Sequence, residues 1–139
     1  MMLVDKLLKI DTKKVDELKT ATYPSKRLAY VLGEENPIDV TIRELKSRRL
    51  NDIASIQYNN KGNFMMEKAY DAKLMMCVEG IVEPDLRDKK LQEHFGAKSA
   101  MDLAEKLFSM EMVDIADAIQ ELSGLKPEDE NENEKEIKN

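Results

Sequence analysis

Few residues in this chain have the type and spacing that chemistry requires. The single histidine, His94, has no second histidine and no cysteine near it in sequence. Neither a zinc site nor a Ser-His-Asp arrangement finds its parts there. The single cysteine, Cys77, falls on the apolar side of a helical stretch. A nucleophilic thiolate needs an electropositive, accessible setting, so buried packing is the expectation. Asp114, Asp117 and Glu121 form an acidic stripe opposite Ile115 and Ile119. Such a stripe could pair carboxylates for acid–base work or hold a cation, but a solvated helix face fits it better. Asp129, Glu130, Glu132 and Glu134 lack the glycine and the regular oxygen-ligand spacing of a calcium loop. No glycine-rich phosphate loop or dinucleotide fingerprint is present. The one basic cluster, Arg43, Lys46, Arg48 and Arg49, sits beside Glu44 and Asp52. It reads as a surface helix turn or as a contact for an acidic partner. No polar constellation converges, so the expected function is non-enzymatic, with no cofactor and no metal.

Composition narrows the class. A chain of 139 residues makes one domain, here assigned to 1–125, with a modest core. A formal charge of −6 argues against a general nucleic-acid binder, which would show a basic face. One cysteine leaves no internal disulfide and fits a reducing compartment. The opening MMLVDKLLKI carries Asp5 and Lys6 inside its apolar run, unlike a signal peptide, and no stretch approaches ~20 apolar residues. A cytoplasmic, non-membrane protein is expected. With no tryptophan and nine methionines, the core must rest on Leu, Ile, Val and Met.

The elements that carry these residues follow from periodicity. Leu3, Leu7 and Val4, Leu8 stand at helical spacing, and Asp11 can cap a second short turn, with Ile10 and Val15 as a hydrophobic staple. Ile38, Val40 and Ile42 alternate with polar residues, as in a half-buried strand. Leu28, Tyr30 and Leu32 alternate similarly across a Gly33–Pro37 turn. We therefore expect a β-hairpin of 26–32 with 38–44; the alternative is a short helix over 25–32, capped by Ser25 and stopped by Gly33. Ser47 is the expected cap of the next helix, with Thr41-x-x-Glu44 competing as a capping box. Phe64 to Val82 forms the longest helix. At about 100° per residue its apolar positions, Leu74 and Cys77 among them, cover more than half the circumference, the mark of a central helix. Asp88 can cap a short helix ending at Gly96, and Ser99-x-x-Asp102 opens helix 100–108. Met112, Ile115, Ile119 and Leu122 line the last helix, which stops at Gly124-Leu125 ahead of Pro127. Leu74, Ile115 and Ile119 are the expected core centre. Residues 126–139, KPEDENENEKEIKN, hold almost nothing apolar and are expected to be a disordered acidic tail. The fold class is α+β, mostly α: a small helical domain with one N-terminal hairpin near 26–44.

Methionine and phenylalanine on the long helix supply the expected partner-binding surface: Phe64, Met65, Met75 and Met76. The adjacent pairs Met65-Met66 and Met75-Met76 cannot all point into one seam. On the helical wheel, Phe64 and Met75 fall among Lys68, Asp71 and Glu79. Flexible, polarizable methionine suits a surface that accepts varied apolar partners. Coverage by another element, such as the N-terminal helix, is the competing expectation.

The order of parts from Val78 to Gly124 also resembles a known family. Pro84-Asp85-Leu86, then Leu91 and Phe95-Gly96, then Leu103 and Leu107, then Ile115, Ile119 and Leu122-Ser123-Gly124 stand as in the tail assembly chaperones of contractile-tailed phages, tail-like prophages and phage-tail-like bacteriocins. With the hairpin and helices before it, the resemblance covers about 26–124; the first twenty residues and the tail match nothing in it. It implies a non-enzymatic chaperone of tail morphogenesis in the bacterial cytoplasm, absent from the finished virion. Such a protein would bind the tape measure protein, a long helical chain with apolar faces, and help recruit tail tube subunits. A homo-oligomer is a further expected partner; nucleic acid and membrane are not. Read without the resemblance, the chain also fits a small adaptor or antitoxin- or inhibitor-like module.

Overall fold

The structure, a computed structural model, describes residues 2–125. Helix α1 (Leu3–Leu8) and a 3-10 turn (Thr12–Asp16) lead into strand β1 (Thr20–Ser25), helix α2 (Lys26–Leu32) and strand β2 (Ile38–Arg43). Then come α3 (Ser47–Ser55), α4 (Met66–Gly80), the short β3 (Ile81–Glu83), α5 (Lys89–His94), α6 (Ala100–Phe108) and α7 (Glu111–Leu122). The three strands form one antiparallel sheet in the order β1-β2-β3. The α+β, mostly helical class holds. The expected tail, 126–139, lies outside the described residues.

The strand partner differs from expectation. β2 pairs with Thr20–Ser25, Tyr23 opposite Val40 and Ala21 opposite Ile42, and residues 26–32 are helical. The period-two spacing of Leu28, Tyr30 and Leu32 loses to stronger end signals. Ser25 Oγ accepts the Leu28 N–H at 3.0 Å, and Gly33 closes the helix at φ 71°, a conformation that costs glycine nothing. TATYPS carries the β-branched and aromatic residues of the real strand, and its Pro24 is tolerated because β1 is an edge.

Other caps behave as read, with one exception. Asp11, Asp88 and Ser99 each accept a backbone N–H at the start of their helices, and the Asp102 carboxylate accepts the Lys98 N–H at 2.9 Å. Lys46, not Ser47, occupies the cap of α3, and its side chain makes no cap bond. At the other end, Leu125 N–H donates to Gln120 C=O and Gly124 N–H to Glu121 C=O, so the last helix ends in a Schellman motif with Gly124 at φ 90°.

The core lies between the sheet and a helical layer. Ala21, Tyr23, Val40 and Ile42 share the sheet face that meets α7, while α4 packs on α7, α6 and α3. Leu74, Ile115 and Ile119 are buried, as expected. Gly80 allows a close approach: a Cβ there would stand 2.5 Å from Ile119 Cδ1. Ser123 ties the layers together. Its hydroxyl donates to Ile119 C=O at 2.7 Å and accepts the Leu45 N–H at 2.9 Å, joining the end of α7 to the segment leaving β2.

Candidate functional site

Of the polar residues singled out by type, Cys77, Asp117, Arg43 and Arg49 prove to be fasteners. Cys77 is buried, its Sγ–H donating to Met112 C=O at 3.2 Å, and burial pushes its thiol up to about 12. Asp117 of the acidic stripe pairs with Lys73 at 2.9 Å across α4 and α7. Within the basic cluster, Arg43 Nε donates to Glu79 C=O at 3.0 Å, and Arg49 Nε donates to the Glu79 carboxylate at 2.7 Å. The two arginines thus pin the C-terminal end of α4, where a cation is favoured by the helix dipole. Exposed His94 meets Phe95 edge-on at 5.0 Å. Among the described residues, no group of three or more His, Cys, Asp or Glu side chains is placed to hold a metal ion.

Two polar contacts join distant segments and have no signal in the sequence. The Glu111 carboxylate, at the start of α7, accepts the Ser25 hydroxyl and the N–H groups of Lys26 and Arg27 at 3.1 and 3.2 Å. It is a tertiary cap on α2, supplied from across the fold. The Tyr70 hydroxyl donates to Glu105, and this bond, more than burial, pushes the phenol up to about 12.

The expected partner surface does not hold together. Met76 is 1 % exposed and belongs to the core, which removes it from any client-facing surface. Its position on the helix turns it toward the packed side of α4. Met75 is half-buried and packs on that core too. Met65 is half-buried at the N-cap of α4, its N–H donating to Gln57 C=O at 2.7 Å. Phe64 alone of the four is plainly exposed, at 54 %, and stacks edge-on with Tyr58 at 5.9 Å. Exposed Met66 stands beside it. Together these make an exposed apolar knob at the α3–α4 connection.

A concave apolar surface lies elsewhere. Leu28, Val31 and Leu32 of α2, Ile38 at the start of β2, Pro84 after β3, Leu91 of α5, the following Phe95 and Leu107 of α6 line a groove of about 300 Å³. Asp39 and Glu83 complete the lining, which contains no cation. The Glu83–Pro84 peptide at its edge is cis. Of the lining residues, Leu32 is 59 % exposed and Phe95 38 % exposed. The groove presents hydrocarbon with a sparse acidic rim, the surface that an apolar helix face would fill. The alternation that mistook 26–32 for a strand also hid this groove: read as a helix, the segment puts Leu28, Val31 and Leu32 at i, i+3 and i+4 on one face.

No helix among the described residues is long and apolar enough to cross a membrane. No curated protein matches the chain. The crystal structure of the protein yqbn is similar, with a TM-score of 0.57 at 17 % identity, covering 79 % of this chain and 88 % of that one. At that identity the likeness concerns the fold alone. The family model for the phage XkdN-like tail assembly chaperone protein matches residues 4–138, including the N-terminal segment that the resemblance by motif had left unassigned. The chain belongs to the phage XkdN-like tail assembly chaperone family.

Proposed function

We propose that this protein is a non-enzymatic chaperone that receives an apolar-faced helical segment of the tape measure protein in the groove beside α2. It keeps that client soluble in the host cytoplasm and helps recruit tail tube subunits. The observation that carries the reading is the groove itself: Val31 and Leu32 of α2 and Phe95 after α5 stay in water beside half-buried Ile38 and Leu91, although the chain has a packed core elsewhere. Exposed contiguous apolar surface of this kind marks a site of association. The charged exterior suits a holdase that must stay soluble while presenting such a surface. Of the polar residues that could have done chemistry, Cys77, Asp117 and Arg49 are occupied in holding elements together.

Co-expression tests this directly. Wild-type protein should keep an otherwise insoluble tape measure fragment in solution. Leu32→Asp with Phe95→Asp should abolish the effect while the circular dichroism spectrum stays unchanged. Phe64→Ser with Met66→Ser should retain it. The reverse pattern moves the client to the knob at the α3–α4 connection. Failure of the wild type with every tape measure segment overturns the reading and favours an adaptor or inhibitor role.

A further inference from the structure

Helix α2 is an insert in the sheet. Ser25 pairs with Ile38 at the last rung of the β1–β2 ladder, and residues 26–37 leave and return through that rung. The ladder is complete without them. Of the seven residues of α2, only Leu28 and Ala29 are buried, while Tyr30 and Leu32 are more than half exposed. So short a helix does not hold itself together in water, so its contacts must hold it. Its first turn has no acidic residue and begins Lys26-Arg27, the wrong sign for the positive end of a helix dipole. The missing negative charge comes from Glu111 of α7, which accepts the Ser25 hydroxyl and the N–H groups of both Lys26 and Arg27. Arg27 weighs against this closed arrangement. Its guanidinium lies over the Tyr30 ring, 5.4 Å from the centroid, and its Nε is buried with no hydrogen-bond partner among the described residues. A buried donor left without a partner favours any motion that lets water reach it.

We propose that residues 26–37 form a flap that opens as one unit about Ser25 and Ile38 while the sheet, α4 and α7 stay folded, and that the Glu111 carboxylate is its latch. The segment has the marks of a low-lying local opening: little buried apolar area, both ends joined at one rung, and a single distant carboxylate holding its start. Burial of Leu28 and Ala29 and the Glu111 bonds hold it shut; the cations of its first turn and the unpartnered Arg27 Nε work against them. The flap also bears on client uptake, and that part rests on the reading that the groove takes apolar helices. A groove of about 300 Å³ receives side chains from one face of a helix. The body of a helix, about 10 Å across, needs more room. Swinging α2 outward widens the groove on the side of Leu28 and Val31, and closing again packs the same face on the client. Segments of different girth then fit one site with no change in the core.

Hydrogen exchange on the full chain, without client, tests the flap. In wild type the amides from Tyr30 to Glu34 should exchange about a hundredfold faster than those of the β1–β2 ladder. Low urea should leave the α2 rates unchanged while those of α4 and α7 respond, because a local opening exposes little surface. Glu111→Gln keeps the size of the side chain and gives up its charge; it should speed α2 exchange about tenfold and leave the ladder as it was. Arg27→Met removes the unpartnered Nε and the misplaced charge, and should slow α2 exchange a few-fold. Amides of α2 that exchange as slowly as the ladder, or that follow urea as α4 does, overturn the flap. A Glu111→Gln protein with α2 exchange unchanged, or with ladder and α2 speeded together, overturns the latch. Faster α2 exchange in both variants overturns the proposal as well. Capture of the tape measure fragment is read separately: it decides whether the groove takes the client, and the exchange rates of the free protein decide the flap.

Discussion

The seam between α4 and α7 and the groove beside α2 are built from the same kinds of residue and used in opposite ways. In the seam, Gly80 lets Ile119 approach so closely that no side chain fits between them. Met112, Ile115 and Cys77 are buried around that contact, and Lys73 with Asp117 closes its edge. In the groove, Val31, Leu32 and Phe95 follow equally regular helical spacing but face water. Periodicity tells which face of a helix is apolar. It does not tell whether another part of the chain comes to cover that face. The covered face stabilises the protein; the uncovered one is available to a partner.

Mutation should separate the two regions sharply. Ile119→Ala in the seam should cost about 2–5 kcal/mol in a urea melt. Gly80→Ala should cost about 1–3 kcal/mol or more through overpacking. The two together should cost less than their sum, because truncating Ile119 vacates the space the new Cβ needs. Strict additivity would show that the seam is looser than the 2.5 Å approach implies. Alkaline titration reads the same seam. The buried Cys77 thiol is raised from 9 to about 12, so the folded state keeps a proton that the unfolded chain gives up. Its contribution is complete below pH 9 and should be lost as pH rises toward 12. Cys77→Ala should flatten that part of the stability profile, and native Cys77 should resist alkylation at neutral pH.

Smaller effects mark the periphery. Ser109 joins α6 to α7 at φ 52° and ψ −138°, a region that glycine tolerates and a Cβ does not. Ser109→Gly should raise stability by about 1 kcal/mol; a loss would mean the serine side chain is needed there. In the groove, Leu32→Asp should change stability by only about 0.5 kcal/mol. A drop as large as that of Ile119→Ala would show that the groove is core after all.

Much of the fold is legible in the sequence, and the gaps have physical causes. Local end signals read well, since a cap depends on residues a few positions apart: Asp11, Asp88, Ser99 and Gly124 all act where spacing put them. The Leu122-Ser123-Gly124 block, which suggested the family, proves to be a structural joint through Ser123. The 26–32 segment misled because its alternation fits two periods, and the Glu111 contact that helps fix it as helix comes from 85 residues away. A helical wheel puts Met75 among charged residues, yet Met75 packs on the core, because a wheel shows angular position and not which neighbours arrive. The groove draws on α2, β2, α5 and α6 at once, and no stretch of the chain carries its outline.

Hydrogen exchange of the protein with and without a soluble tape measure helix tests the central claim most directly, namely that the open apolar groove is the client site. Bound client should slow exchange across α2 and the Leu91–Phe95 segment while leaving the already protected α4 and α7 unchanged. Protection confined to the Tyr58–Met66 connection, or none beside α2, would contradict it.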